Sequence, residues 1–129
     1  DILLHQFYLN TYTSFAELAE AINKTVQRKQ GTSTWDALRN VRYYFTRENG
    51  SRIDDKVAQN LLLITDGKAN DEKDLNALEY LRSKKIQITA FGIGNDIKKS
   101  ELREMAGSAD RVLIETFEGL ELKKTIRKL

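Results

Sequence analysis

Three oxygen-bearing residues, Thr32, Thr34 and Asp66, have the types and placement that could do chemistry. In AQNLLLITDGKAND (58–71) a run of bulky apolar residues stops at Thr65-Asp66-Gly67, which sets a carboxylate at the mouth of an apolar segment. Thr32 and Thr34 lie in the turn QGTST (30–34), immediately ahead of a helical pattern. A carboxylate with hydroxyls is a hard oxygen donor set, suited to Mg²⁺ or Mn²⁺ and poor for softer metals. The plainer reading stays open beside it, because Asp before Gly is a common turn residue and Thr before a helix a common cap.

Other chemistry-bearing residues are less well placed. His5 is the lone histidine and alternates with apolar residues, and nothing nearby in the sequence supplies the base or nucleophile that catalysis needs. Gly92-Ile93-Gly94 resembles the start of a dinucleotide loop, but its third glycine is absent, which leaves a strand-end turn. The acidic pairs Asp54-Asp55 and Asp71-Glu72 read as solvated or capping groups, the second near a helix start where the macrodipole favours carboxylates. Lys123, Lys124, Arg127 and Lys128 form a basic final segment whose charges suit a helix C-terminus. Asn23-Lys24-Thr25 and Asn49-Gly50-Ser51 are glycosylation sequons, with Asn49 expected to be the better acceptor because its loop is expected to be exposed and Asn23 lies in mid-helix.

Composition bounds these readings. The 129 residues suffice for one domain, burying about two thirds of the unfolded surface. A net charge of +2, from 21 basic and 19 acidic residues, gives no electrostatic case for nucleic acid or an anionic membrane. No apolar run is long enough to span a bilayer, and the chain opens without a signal peptide, so targeting information lies outside it. Cysteine is absent, which excludes disulfides, thiolate metal sites and Cys nucleophiles.

The elements that must position Thr32 and Asp66 alternate along the chain. ILLHQFYL (2–9) reads as a strand. Ser14 and Glu17 have capping-box spacing, and Phe15, Leu18, Ala19 and Ile22 share one face, predicting a helix over about 15–28. Trp35, Leu38, Val41, Arg42 and Phe45 mark a second helix, and RENGSRIDD (47–55) a polar loop. Leu61–Ile64 is a strand too continuous in its apolar run to be half exposed, as in a parallel sheet covered on both faces. Then follow a helix (71–85), a strand (86–94), a short helix from Ser100 to Gly107, a strand (111–116) and a closing helix (119–129). The cycle predicts an α/β three-layer sandwich, a mostly parallel central sheet with helices on both faces. Ligands in such folds bind beyond the carboxyl ends of the strands, which is where Asp66 lies.

NLLLITDG before a helix, ITAFGIG, SELREMAG and GTSTWDALRNV together resemble a von Willebrand factor type A (VWA) domain. FYLNTYTSFAELAEAI and VLIETFEGLEL are similar in particular to the A-type modules of type VI collagen. The resemblance implies a Rossmann-like sheet of five parallel strands and one short antiparallel edge strand. It also implies a metal-ion-dependent adhesion site, in which Thr32 and Asp66 are metal ligands while Thr34 caps its helix. The family's Asp-x-Ser-x-Ser turn occurs nowhere here, and the chain opens on what resembles the antiparallel edge strand. Residues 1–129 are therefore expected to be a single VWA-type domain that is N-terminally incomplete, its C-terminal two thirds.

The function implied is a non-enzymatic, protein-binding module of a secreted extracellular matrix glycoprotein. It would act in adhesion or matrix assembly through Mg²⁺ (or Mn²⁺ or Ca²⁺), with matrix or cell-surface proteins as partners and self-assembly open. The alternative is an intracellular VWA-type scaffold, or an unrelated α/β enzyme using Asp66 as a catalytic carboxylate. With two ligands in hand and one charge, this chain alone is expected to bind Mg²⁺ no better than about millimolar. An unpaired edge along Leu61–Ile64 is expected to make it fold poorly by itself.

Overall fold

A computed structural model of the chain describes residues 3–26 and 31–116. The element order is α1 (Phe15–Asn23), α2 (Thr34–Val41), β1 (Gln59–Gly67), α3 (Leu75–Ser83), β2 (Ile86–Asp96), α4 (Lys99–Ala106) and β3 (Val112–Glu115). Short 3-10 turns occupy Arg42–Tyr44, Ile53–Asp55 and Ala109–Arg111. β1, β2 and β3 form one sheet in that spatial order, and both pairings are parallel. The parallel α/β architecture expected from the alternating pattern is the one observed, but α2, α3 and α4 share one face of the sheet where helices were expected on both.

Parallel pairing places Leu61 beside Ile88 and Leu63 beside Ala90, on one face of the sheet. There Trp35, Leu38, Leu78, Leu81, Ile86, Ile88 and Met105 form the main core. Ala90, Leu102 and Ala106 extend it under α4, and Leu63 touches both clusters. Each fully buried leucine contributes about 1.5–3 kcal/mol through removal from water. α2, α3 and α4 therefore all cover the same face.

The opposite face explains a departure from expectation. Leu62 and Ile64 are 44% and 57% exposed, so β1 is half exposed along its apolar run. Among the described residues no helix lies over these two side chains and no strand pairs with the outer edge of β1. The helix expected over 119–129, with Lys123, Lys124, Arg127 and Lys128, falls outside the described residues.

Ser14 and Glu17 make the reciprocal capping box at the start of α1. The apolar stripe of that helix is not buried, with Phe15 86% and Ile22 57% exposed. Residues 3–9 are not a strand, because a strand needs a neighbouring strand: among the described residues Tyr8 bonds locally to Thr11, and Leu9 N–H alone reaches a distant segment, the Asn49 carbonyl at 3.1 Å. His5 instead meets the Tyr44 hydroxyl at 2.6 Å and lies against the Tyr8 ring, a structural contact. α3 begins at Leu75, later than the sequence pattern implied, because Asp74 caps it through the Ala77 N–H at 3.2 Å.

Candidate metal centre

The end of β1 is irregular, and the irregularity surrounds Asp66. Thr65 pairs with Gly92, but Gly67 pairs with Asp96, so the single residue Asp66 stands opposite residues 93–95 of β2. A bulge of this kind re-aims a side chain. Thr65, 9% exposed, stabilises it: its hydroxyl donates to the Gly67 carbonyl at 2.9 Å and accepts from the Gly67 N–H at 3.3 Å. Asp66 is left exposed at the carboxyl end of the strand, and no described residue bonds to its carboxylate.

Thr32 comes to this place from the other side. Its hydroxyl oxygen lies 3.5 Å from where a Cβ on Gly67 would sit, so it borders the residue next to Asp66. Its carbonyl accepts from the Asn70 N–H at 2.9 Å, which joins the two loops directly. The loop after β1 has two further anchors: Lys68 N–H donates to the Asp96 carbonyl at 3.1 Å, and Ala69 N–H to the Glu101 carboxylate at 3.0 Å.

Asp71 completes the arrangement. Its carboxylate accepts from the Asp36 N–H at 2.6 Å and the Trp35 N–H at 3.3 Å. Those are first-turn donors of α2, which helical geometry leaves without partners. Ser33, at the N-cap position, makes no side-chain capping bond. The cap is thus supplied from the loop after β1, and it holds the Thr32 turn against that loop. Asp71 was expected to serve the helix that follows it and instead serves the one before. Thr34, expected to cap, is the buried first residue of α2, because the cap comes from outside the segment.

Arg39 extends the connection between α2 and α3. Its guanidinium donates to Asp74 at 2.7 Å and to Asp36 at 3.0 Å. The hydrogen bond from Arg39, aided by the Ala77 N–H, holds the Asp74 carboxyl below the usual carboxylate range. The same bond raises Arg39.

The remaining residues singled out by sequence sit elsewhere. Gly92 is a packing glycine, since a Cβ there would lie 2.8 Å from side-chain carbons of both Ile97 and Leu102. Asp54 and Asp55 are exposed in a 3-10 turn. Asn49 is half-buried and donates its amide to the Tyr43 carbonyl at 2.7 Å, whereas Asn23 is exposed at the last residue of α1. Sequence reasoning missed Thr65, Asp71 and Glu101 as organisers. Thr65 had a local signal, a hydroxyl two residues before a strand-end glycine; the other two act across more than thirty residues and had none.

Thr32 and Asp66 suit a hard divalent cation in kind, one neutral oxygen and one charged. They do not suffice in number, because Mg²⁺ takes six oxygens in a near-ideal octahedron. Among the described residues no three His, Cys, Asp or Glu side chains gather to hold a metal.

The model of the von Willebrand factor type A domain matches residues 4–127. The chain belongs to the von Willebrand factor type A family. It is 41% identical over 118 residues to the human collagen alpha-5(VI) chain, covering 89% of this chain and 4% of that one. With the mouse collagen alpha-6(VI) chain it shares 38% over 125 residues, covering 96% of this chain and 5% of the relative. The chain thus spans a small part of the curated relatives that it matches. Among solved structures it is similar to proximal thread matrix protein 1 from the mussel byssus with a zinc-occupied MIDAS motif. That match has a TM-score of 0.84 at 26% identity, over 95% of this chain and 31% of that one. The manganese-loaded TRAP protein of Plasmodium vivax, at TM-score 0.62 and 21% identity over 88% of this chain and 44% of that one, shares the fold.

Proposed function

We propose that this VWA domain is a non-enzymatic, protein-binding module of a secreted extracellular matrix protein. It acts in adhesion or matrix assembly through a divalent cation held in part by Thr32 and Asp66. The observation that carries this reading is the Thr32 hydroxyl set against Gly67, beside an exposed Asp66 that no described residue engages. The collagen VI relatives and the metal named for the mussel protein support it.

Asp66 supplies the charge and Thr32 a neutral oxygen. Thr32 and Asp66 would hold the cation, whose charge would attract an acidic side chain of a partner and make recognition cation-dependent. Thr65, Asp71 and Glu101 keep both loops in shape through the bonds described above. Mg²⁺, Mn²⁺ and Ca²⁺ are the ions such oxygens accept. The partners are matrix or cell-surface proteins, further copies of the module among them. No helix among the described residues is long and apolar enough to cross a membrane. An enzymatic role for Asp66 needs a second reactive group beside it. No described residue bonds to it, and His5 is committed to Tyr8 and Tyr44.

The test is isothermal titration of Mg²⁺ into the intact domain with and without Asp66→Ala. Loss of the binding heat, with the melting temperature nearly unchanged, is the expected result. Equal heats in the two proteins remove Asp66 from the site.

A further inference from the structure

We propose that Asn23 is the N-glycosylated residue of this chain and that Asn49, despite its sequon, is a structural residue that carries no glycan in the folded protein. The proposal rests on the reading of the chain as secreted. In the transfer, the Asn23 side-chain nitrogen bonds to the anomeric carbon of an oligosaccharide carried on a lipid pyrophosphate. The anomeric C–O bond breaks, the lipid pyrophosphate leaves, and the amide proton passes to a base of the transferase.

The two sequons differ in what the fold has already done with their atoms. The Asn49 side-chain amide donates to the Tyr43 carbonyl at 2.7 Å, and the Asn49 backbone carbonyl accepts from the Leu9 N–H at 3.1 Å. Gly50 has φ +89°, and a Cβ there would lie 2.7 Å from Asn10, so residues 9–10 press directly on this turn. The hydroxyl of Ser51, 5% exposed, donates to Gln59 at 2.8 Å and accepts from the Ile53 N–H at 3.2 Å. A glycan on Asn49 must leave from a half-buried residue whose side-chain amide and backbone carbonyl are both in use. Attachment there opposes folding of the 46–51 segment.

Asn23 has the opposite surroundings. It is exposed, it ends α1, and α1 contains no buried residue, so a sugar there displaces no core contact. Lys24 and Thr25 are exposed as well and lie past the helix end, and their N–H bonds to the Glu20 and Ile22 carbonyls, at 3.0 and 3.1 Å, belong to a last turn with no buried residue, so opening it for the transferase disturbs no core contact. The one bond made by the sequon hydroxyl, Thr25 to the Ala21 carbonyl at 3.1 Å, faces solvent and exchanges readily for water. Asn23 follows Ile22 by one residue, about 100° around the helix, which sets the glycan beside the apolar stripe and off it.

Passing the chain through the endoplasmic reticulum of a glycosylating cell tests this. Secreted and cell-retained material are each treated with peptide N-glycosidase in ¹⁸O water, and the labelled Asn→Asp positions are read by peptide mass spectrometry. Label at Asn23 alone in the secreted protein is expected, with Asn23→Gln or Thr25→Ala abolishing the mobility shift and Thr25→Ser restoring it. Asn49→Gln should keep the shift and lower the melting temperature. Label at Asn49 in secreted protein, or at neither site in both fractions, overturns the proposal without bearing on where the parent protein resides. If nothing is secreted, the retained fraction still decides: Asn23 labelled supports the assignment, and Asn23 unlabelled overturns it.

Discussion

Replacing Asp71 with alanine should loosen α2 and the Thr32 turn together, although Asp71 belongs to neither. The carboxylate accepts two first-turn N–H groups of α2, at 2.6 and 3.3 Å, from a half-buried position. Loss of a side-chain cap costs about 0.5–2 kcal/mol. The lost interaction of a partly buried carboxylate with the helix dipole adds roughly 0.5–1 kcal/mol. The two overlap, because both describe the same N–H groups, so Asp71→Ala should cost about 2 kcal/mol in total. Asp71→Asn keeps one acceptor oxygen and loses the charge, and should cost about half as much, near 1 kcal/mol. For a domain of this size the alanine variant should melt roughly 6–10 °C lower. Urea denaturation of the three proteins, with the slope unchanged and the midpoint shifted, is the assay. If Asp71→Ala falls within about 0.5 kcal/mol of the parent, as ordinary surface substitutions do, the cap contributes nothing and the account of the Thr32 turn fails.

Further predictions address the scaffold around the site. The Asp74 carboxyl is lowered by its hydrogen bond from Arg39, so its stabilising contribution is present above the ordinary carboxylate value and is lost as pH falls through the lowered one. An acid titration of stability should therefore fall less steeply for Arg39→Ala than for the parent, and superimposable curves count against the pair. Gly92→Ala places a Cβ 2.8 Å from Ile97 and Leu102, and overpacking there should cost about 1–3 kcal/mol in chemical denaturation, with Gly92→Val worse. Leu78→Ala, at a side chain with 0% exposure, should cost about 2–5 kcal/mol by the same measurement. Lys85 adopts φ 57° between α3 and β2, so Lys85→Gly should raise stability by about 0.5–1 kcal/mol, read as a higher denaturation midpoint.

Legibility in the sequence followed the range of the interactions concerned. The capping box at Ser14 and Glu17, the Gly107 stop of α4 at φ 73° and the parallel strands β1 to β3 depend on residue types a few positions apart, and each was readable. Residues 3–9 were misread because an apolar, β-prone segment becomes a strand only when a neighbour supplies its hydrogen bonds. Leu62 and Ile64 were misread because an apolar run records what a strand can bury and not what covers it. The two sequons were ranked in the wrong order of exposure for a similar reason. Polar loop composition did not reveal that Tyr43 and Leu9 would occupy the Asn49 amide and carbonyl.

For the candidate metal centre, the sequence by itself determined which residues carry suitable oxygens and that Asp66 ends a strand of a parallel sheet. Local types and periodicity settle both points. Only the tertiary structure decided that Thr32 borders the residue beside Asp66, that a bulge braced by Thr65 leaves the carboxylate exposed, and that Asp71 caps a helix begun far upstream. The Thr65 brace is local, but Asp71 reaches a backbone N–H 35 residues away and Asn70 meets Thr32 through backbone groups. Backbone donors and acceptors of that kind are carried by nearly every residue, so no pattern of side chains announces these partners before the chain has folded.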